Sequence, residues 1–438
     1  MTDSIQGRLA AIAARLEARA TTVLLLIMLG ALAIRVLWAS LVVVLPTSDS
    51  GAYMLYAKTL LETGEYAMAP GLPNAFWAPG TGMLIAALWF VFGQSFTPII
   101  IANIVFSVAL VPLIYVLAQR WAGTLTALIA AFMIGFWPTF VMYVTVLQSE
   151  QPFLFVLCLG LVAYGSDWGK QWQRVLVAGF FFGIACYFRP VALLLPIALG
   201  FVTVLRQWRV WQREAVVALA TMLAMLIVIS PWTYRNSQVL GQPALVSTNF
   251  GLALWNGNHP GTPGTYVPPP PWIKGLTHVE ADRLMLRRAL EYIEEDPVGF
   301  VQRTAWKVLV QHRGQTIAVV WNPSVEQRYG PWAVFFLKAI GTACWYSTVL
   351  LGLVGVGIAI WRLGIIGLFH PAFIIWAYFT GVHAVTQAGG RFQLPSVPFV
   401  IIMAAIAIVT LLRLGEALPA YRRPPQALRP EPEGAKPA

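Results

Sequence analysis

Charge is scarce in this chain. Of its 438 residues only 11% are charged, and acids are scarcer than bases, 18 Asp and Glu against 29 Lys and Arg. So thin a polar coat excludes a soluble globular domain. Cysteine is scarce too: Cys158, Cys186 and Cys344 all lie inside apolar runs, where they read as small buried hydrophobes, and neither a disulfide framework nor a metal cluster is indicated. No internal repeat is visible. No basic–aromatic nucleic-acid motif accompanies the net charge of +11, so nucleic acid is not an expected partner. What the chain has instead is apolar length: 58% of its residues are hydrophobic and mean hydropathy is +0.70, the composition of a polytopic membrane protein.

Apolar spans fall at 21–45, 97–118, 122–146, 152–166, 174–188, 190–205, 214–231, 333–360, 363–382 and 395–412, which reads as about ten transmembrane helices. With the N-terminus inside, fifteen basic residues gather at inner ends: Arg8, Arg15, Arg19, Arg120, Lys170, Arg174, Arg206, Arg209, Arg213, Arg362, Arg413, Arg422, Arg423, Arg429 and Lys436. The short outer loops hold three, Lys58, Arg189 and Arg391. That asymmetry sets the orientation by the positive-inside rule. The expected fold class is all-α: a cytoplasmic segment 1–20, a membrane domain 21–412 and a disordered Pro- and Arg-rich cytoplasmic tail 413–438. Within the membrane domain, a first outer loop 46–96 carries juxtamembrane helices and a long outer loop 233–332 carries interfacial ones. The first apolar stretch is too long for a cleavable signal, and no small-x-small site follows it.

The first outer loop opens with Ser48-Asp49-Ser50-Gly51-Ala52-Tyr53, so a carboxylate emerges from lipid at the membrane surface. Tyr53, Tyr56, Ala57, Leu60 and Leu61 then share one helical face, opposite Lys58 and Glu62, and Gly64 suits the stop. Asp49 either serves chemistry or merely caps this surface helix. Segment 80–93, after Pro79-Gly80, is too short to span and reads as a second surface or re-entrant helix. Glu150, in Leu147-Gln148-Ser149-Glu150-Gln151-Pro152, sits at the second short outer loop, where it can face Asp49 or cap the next helix. Two converging carboxylates can divide into a general base and an orienting or cation-binding group.

Basic residues recur on the same side. Arg189 stands in Phe188-Arg189-Pro190, Arg235 in Pro231-Trp232-Thr233-Tyr234-Arg235-Asn236 and Arg391 in Gly390-Arg391-Phe392-Gln393-Leu394-Pro395. Each is either a forked donor to a phosphate or an interfacial anchor. Arg35, roughly mid-span, is expensive there and is expected to face a polar interior. His383 is a candidate donor to a phosphate or an acceptor sugar, or a structural residue. In the long outer loop, Pro260-Gly261-Thr262-Pro263-Gly264 and Pro268 to Pro271 rule out regular structure and suit a lid over a site. Thr277-x-x-Glu280 is a capping box opening a helix near 278–295, and Asp296-Pro297 opens another. In that second helix Val298, Val301, Ala305, Val308 and Leu309 share a face opposite Arg303 and Lys307, the pattern of an interfacial helix.

Taken in order, Arg35, Asp49-x-x-x-Tyr53, Gly64-Glu65-Tyr66 and an aromatic-x-Pro-Gly segment entering a short helix resemble the dolichyl-phosphate-mannose–protein mannosyltransferase and aminoarabinose-transferase superfamily, the GT-C membrane glycosyltransferases. The resemblance continues through Ser149-Glu150, Phe188-Arg189-Pro190, Pro231 to Asn236, Ser247 to Asn258, and Arg391-Phe392-Gln393-Leu394-Pro395-x-x-Pro398, covering most of residues 30–400. It implies a GT-C fold, with Asp49 as the catalytic acid of the first outer loop and Glu150 as that of the second. Arg35, Tyr53, Lys58, Arg189, Arg235, His383 and Arg391 become candidates for holding the donor phosphate or substrate. Ser50 stands where the protein mannosyltransferases carry the second of two tandem acids, and no large soluble domain follows the membrane region. A lipid, lipopolysaccharide or polysaccharide acceptor is therefore expected before a protein.

The expected activity is inverting transfer of a sugar from a polyprenyl-phosphate-linked donor at the outer face of a bacterial inner membrane, among membrane lipid, with Asp49 as base and the arginines stabilising the departing phosphate. A divalent cation is compatible with two carboxylates, but no dedicated ligand set and no zinc signature is present. Two rivals stand beside this reading. A lipid-linked sugar transporter or flippase would also want basic residues and many spans, though transporters commonly show repeats. An O-antigen ligase or polymerase would leave the early acidic loop without a job.

Overall fold

The computed structural model describes residues 2–206, 208–415 and 417–418, so most of the tail expected at 413–438 lies outside the described residues. The described residues are mainly helical. Its helices are α1 (Thr2–Ala18), α2 (Ala20–Leu41), α3 (Ser50–Thr63), α4 (Gly80–Phe92), α5 (Thr97–Ala122), α6 (Thr124–Gly135), α7 (Pro138–Met142), α8 (Glu150–Gly165) and α9 (Gln171–Phe188). They continue as α10 (Leu195–Arg206), α11 (Trp211–Leu240), α12 (Phe250–Asn258), α13 (His278–Glu295), α14 (Pro297–Gln311), α15 (Ile317–Val320), α16 (Ser324–Leu363), α17 (Pro371–Val385) and α18 (Val397–Leu411). The β-structure among the described residues is one isolated bridge, Ala67 to Pro73.

Every apolar span read from the sequence is helical, but not every one has the length of a crossing. Among the described residues five helices are long and apolar enough to traverse a bilayer, and six if the pair Thr124–Gly135 and Pro138–Thr145, bent by 45°, is one broken span. The bend falls at Trp137-Pro138, because proline cannot donate to the turn before it. Gly80–Phe92, Glu150–Gly165, Pro190–Arg206 and Pro371–Val385 are apolar but shorter, so the expected ten crossings are not matched by ten full-length helices. One expected span, 363–382, is interrupted: a 3₁₀ segment Gly364–Phe369 precedes His370-Pro371, and the α-helix starts after it.

Two helices mark the inside and outside of the bundle. Helix α18 is apolar on all sides, and 83% of residues 394–411 are buried, as suits a helix wrapped by others; it packs on α16, α6 and α17. Helix α2 has only 17% of the residues in its most apolar stretch buried and turns Leu25, Leu26, Leu29 and Leu37 outward, the surface of a helix solvated by lipid. Arg35 of α2 faces inward. Its guanidinium donates to Ser107 Oγ (2.7 Å) on α5, to Ala31 O (2.9 Å) and to Gly135 O (2.6 Å) at the end of α6. Because α6 stops at the break, its last carbonyls lack intrahelical partners, and a buried cation is favoured there.

The first loop folds as the periodicity suggests. Tyr53, Tyr56 and Ala57 of α3 are buried, Lys58 and Glu62 are exposed, and Gly64 ends the helix at φ 75°, the left-handed region open to glycine. Tyr56 stacks on Tyr66 with centroids 4.4 Å apart, Tyr66 meets Trp232 of α11 edge-on at 5.1 Å, and Tyr56 also hydrogen-bonds Asn74. Helices α13 and α14 begin where expected: Thr277 accepts from the backbone N–H of Glu280, and Asp296 accepts from Gly299 N (2.8 Å). The face of α14 departs from expectation at Lys307, which is buried instead of solvated.

Candidate active site

Asp49 follows Ser48, which holds φ 54°, an uncommon left-handed conformation for a serine. That turn delivers Asp49 to the N-cap position of α3, yet its carboxylate caps nothing: it makes no side-chain bond to the helix N-terminus. The hydrogen-bonded cap is therefore not made, though the charge still stands at the N-terminus of α3. Oδ2 instead accepts a hydrogen bond from Arg391, 342 residues away, at 2.6 Å. The side chains are 20% and 28% exposed, so the pair is reachable as well as held.

A second pair lies beside it. Glu150 is the first residue of α8 and is completely buried, with Oε1 receiving Arg189 Nη1 at 2.7 Å. Arg189 also reaches Ser149 Oγ at 3.4 Å. Glu150 Oε2 and the buried hydroxyl of Tyr143 have no hydrogen-bond partner among the described residues. Both Glu150 and Arg189 lie at helix boundaries, Arg189 closing α9 just before Pro190 stops it, so a rigid backbone sets their spacing.

Phe392 joins the two pairs. Its ring has Arg391 at 5.1 Å and Arg189 at 5.7 Å from the centroid, and His383 stacks on it at 4.5 Å. Arg391 also lies over Trp321, at 5.6 Å. Aromatic faces steady a guanidinium without consuming its donors, leaving N–H groups for a ligand. His383 Nε2 is buried without a partner among the described residues.

Electrostatics bind the group together. Burial works against the Arg391 guanidinium, but Asp49 and then Glu150 outweigh it and hold its pKa above the ordinary value. Burial, then the charge of Asp49, pushes the Tyr53 phenol up, with Glu150 adding and both arginines opposing. Tyr53 thus keeps a neutral hydroxyl. The loop before Glu150 is fixed to α3 by Ser50, which donates to Leu147 O (3.0 Å), and by Gln148, which donates to Ser50 Oγ (3.2 Å).

Three predicted residues are not brought to this group. Arg35 is committed to Ser107, Ala31 and Gly135. Lys58 lies on the exposed face of α3, 3.8 Å from Glu62, because the helical period that buries Tyr53 and Tyr56 turns residue 58 away. Replacing Lys58 by Ala should leave activity within about twofold of wild type in a transfer assay, as an exposed pair of this kind contributes little. Arg235 clamps the first loop to α11, donating to Tyr66 O (2.8 Å) and Asn74 O (3.2 Å) while stacking over Trp232 at 4.7 Å. Arg235→Met should lower stability by about 1–3 kcal/mol in thermal unfolding, since the two carbonyls lose a charged donor. The sequence reading missed Trp321, Tyr143 and the role of Phe392; aromatic residues are common throughout the chain, so nothing in the pattern singled these out.

Among the described residues no three of His, Cys, Asp and Glu gather as a metal-binding group, and both carboxylates already face guanidinium groups.

Residues 77–234, a little over a third of the chain, match the family model of dolichyl-phosphate-mannose-protein mannosyltransferase. The fold is similar to that of AglB, the archaeal oligosaccharyltransferase of Archaeoglobus fulgidus, solved with an inhibitory peptide and a dolichol-phosphate: TM-score 0.54 at 13% identity, over 90% of this chain and 50% of that one. The same oligosaccharyltransferase with Zn and sulfate gives 0.55 at 15% identity, over 89% and 49%. ArnT from Cupriavidus metallidurans bound to undecaprenyl phosphate is more loosely similar, TM-score 0.46 at 14% identity, over 89% and 78%. The chain spans about half the length of the archaeal oligosaccharyltransferase. No curated protein matches it significantly. The family match covers part of the chain and the likeness to the oligosaccharyltransferase is one of fold; with its long apolar helices the chain is a multi-pass membrane protein.

Proposed function

We propose that the chain transfers a sugar from a polyprenyl-phosphate-linked donor to an acceptor at the outer face of a bacterial inner membrane, with inversion at the anomeric carbon. The observation that carries this reading is the reachable Asp49–Arg391 pair set against the buried Glu150–Arg189 pair. Before the donor arrives, the four charges cancel. A lipid phosphate entering this group competes with Asp49 for Arg391, and forked N–H donors suit phosphate oxygens at least as well as a carboxylate. Asp49 is then released as a base.

In the transfer step the acceptor hydroxyl attacks the anomeric carbon, Asp49 takes its proton, the bond from that carbon to the phosphate oxygen breaks, and the polyprenyl phosphate leaves. Arg391 and Arg189 stabilise the charge that grows on the leaving phosphate. Glu150 keeps Arg189 in place, and Tyr53 and His383 line the same group as hydrogen-bonding candidates. Dolichol-phosphate in the AglB structure supports a lipid-phosphate donor here by analogy of fold. The acceptor class favoured is a lipid, lipopolysaccharide or polysaccharide, because Ser50 replaces the second acid of the protein mannosyltransferases. The test is the mass spectrum of envelope glycolipids from a deletion strain. Loss of one sugar residue from a single glycolipid class supports the reading; an unchanged envelope sinks it.

A further inference from the structure

Helix α14 is inverted with respect to a helix on a water-facing surface. Val298, Val301 and Leu309 are 67%, 65% and 63% exposed, whereas Lys307 and Gln311, one turn apart, are both 0% exposed. Apolar residues outward and polar residues inward suit a helix whose outer face meets lipid.

The Lys307 ammonium is held by four oxygens: Gly257 O (3.0 Å), Thr386 O (3.0 Å), Val385 O (3.1 Å) and Asn258 Oδ1 (3.2 Å). Gly257 and Asn258 end α12, and Val385 and Thr386 end α17, so the cation sits at two helix C-termini, where free carbonyls and the dipole favour it. The two ends touch closely. A Cβ added at Gly257 would lie 1.6 Å from Thr386 O, so residue 257 has room for no side chain.

No carboxylate is among the four oxygens. A buried ammonium without an acid is expensive, and an apolar side chain of the same length would avoid that cost. What the ammonium secures is the segment that follows α17. Gln311 donates to Phe392 O (3.3 Å), Gln393 donates back to Arg313 O (3.2 Å), and Ala388 N donates to Gly264 O (2.9 Å). The segment 385–393 is thereby stitched to α12, to α14 and to the Pro-Gly loop, and it carries both Phe392 and Arg391.

We propose that Lys307 is a positioning residue for Arg391: by locking residues 385–393 at the ends of α12 and α17, it fixes the guanidinium in the geometry that receives the donor's lipid phosphate. This rests on the reading of Arg391 as a phosphate ligand. Lys307 itself touches no substrate and acts through the backbone.

The experiment measures binding of undecaprenyl phosphate to the purified full chain in lipid nanodiscs for wild type, Lys307→Met, Arg391→Gln and the double variant. Lys307→Met should weaken binding about tenfold, and the double variant should bind no worse than Arg391→Gln alone, the signature of residues acting through one group. Lys307→Arg, which keeps a cation at both helix ends, should restore most of the binding. If Lys307→Met does not fold, Gln311→Leu replaces it in the same cycle, with a smaller loss and the same non-additivity. Wild-type binding by Lys307→Met overturns the proposal alone, as do losses that multiply in the double variant. A wild type that fails to bind the lipid phosphate overturns the donor reading and this proposal with it.

Discussion

Asp49→Asn should reduce sugar transfer by roughly 10²–10⁴-fold, the range associated with removing a positioned general base. The substitution is close to isosteric, and the amide oxygen can still accept from Arg391, so the first loop keeps its shape and the protein should reach the membrane at wild-type levels. What disappears is the negative charge and the basic lone pair. The clean readout is product formation in a deletion strain carrying either allele, with membrane abundance measured alongside. Normal abundance with near-complete loss of product is the expected result. Activity within tenfold of wild type would mean that Asp49 serves only to hold Arg391.

The second large effect concerns stability. Arg189→Met should destabilise the protein by about 3–5 kcal/mol, because it leaves the fully buried Glu150 with an uncompensated charge. Thermal unfolding in detergent reads this directly. Glu150→Gln added to Arg189→Met should recover most of the lost stability, since a neutral amide no longer needs a cation, while transfer stays low. Equal stability of Arg189→Met and wild type would show that Glu150 is solvated or paired in some other way. The Asp49–Arg391 pair should behave differently. It is partly exposed, so breaking it costs little stability and much activity.

That contrast explains how much of the site was legible in the sequence. Asp49, Glu150, Arg189 and Arg391 stand out because charge is so rare at the ends of these apolar runs, and rarity alone brings them forward. Their pairing is another matter. Asp49 and Arg391 lie 342 residues apart, and no periodicity carries information over that distance. Lys58 and Arg235 satisfied the same rule of basic residues near one membrane face, yet one follows the outward turn of α3 and the other is spent on backbone carbonyls. Arg35 obeyed the expectation that a mid-span cation faces a polar interior, but its partners are a serine and the carbonyl left free by the break after α6. Helix α14 shows the limit most clearly. Its pattern gave an amphipathic helix, and the inward direction of its polar face depends on having lipid, not water, outside. Helix positions were recoverable from apolar runs, but the breaks at Trp137-Pro138 and His370-Pro371 were not, since both fall inside stretches read as single spans, 122–146 and 363–382. The count of full crossings was not, because buried helices of a bundle and short helices at its edge share one composition.

The central claim is that the chain consumes a polyprenyl-phosphate sugar and that Asp49 makes the transfer step work. A strain lacking the protein should accumulate the unused donor, so its membranes supply the substrate without the sugar being known in advance. Purified wild-type protein added to those membranes should convert the accumulated donor to free polyprenyl phosphate and raise the mass of one acceptor by a single sugar residue, while Asp49→Asn leaves both unchanged. Membranes in which wild-type protein alters neither lipid would contradict the account.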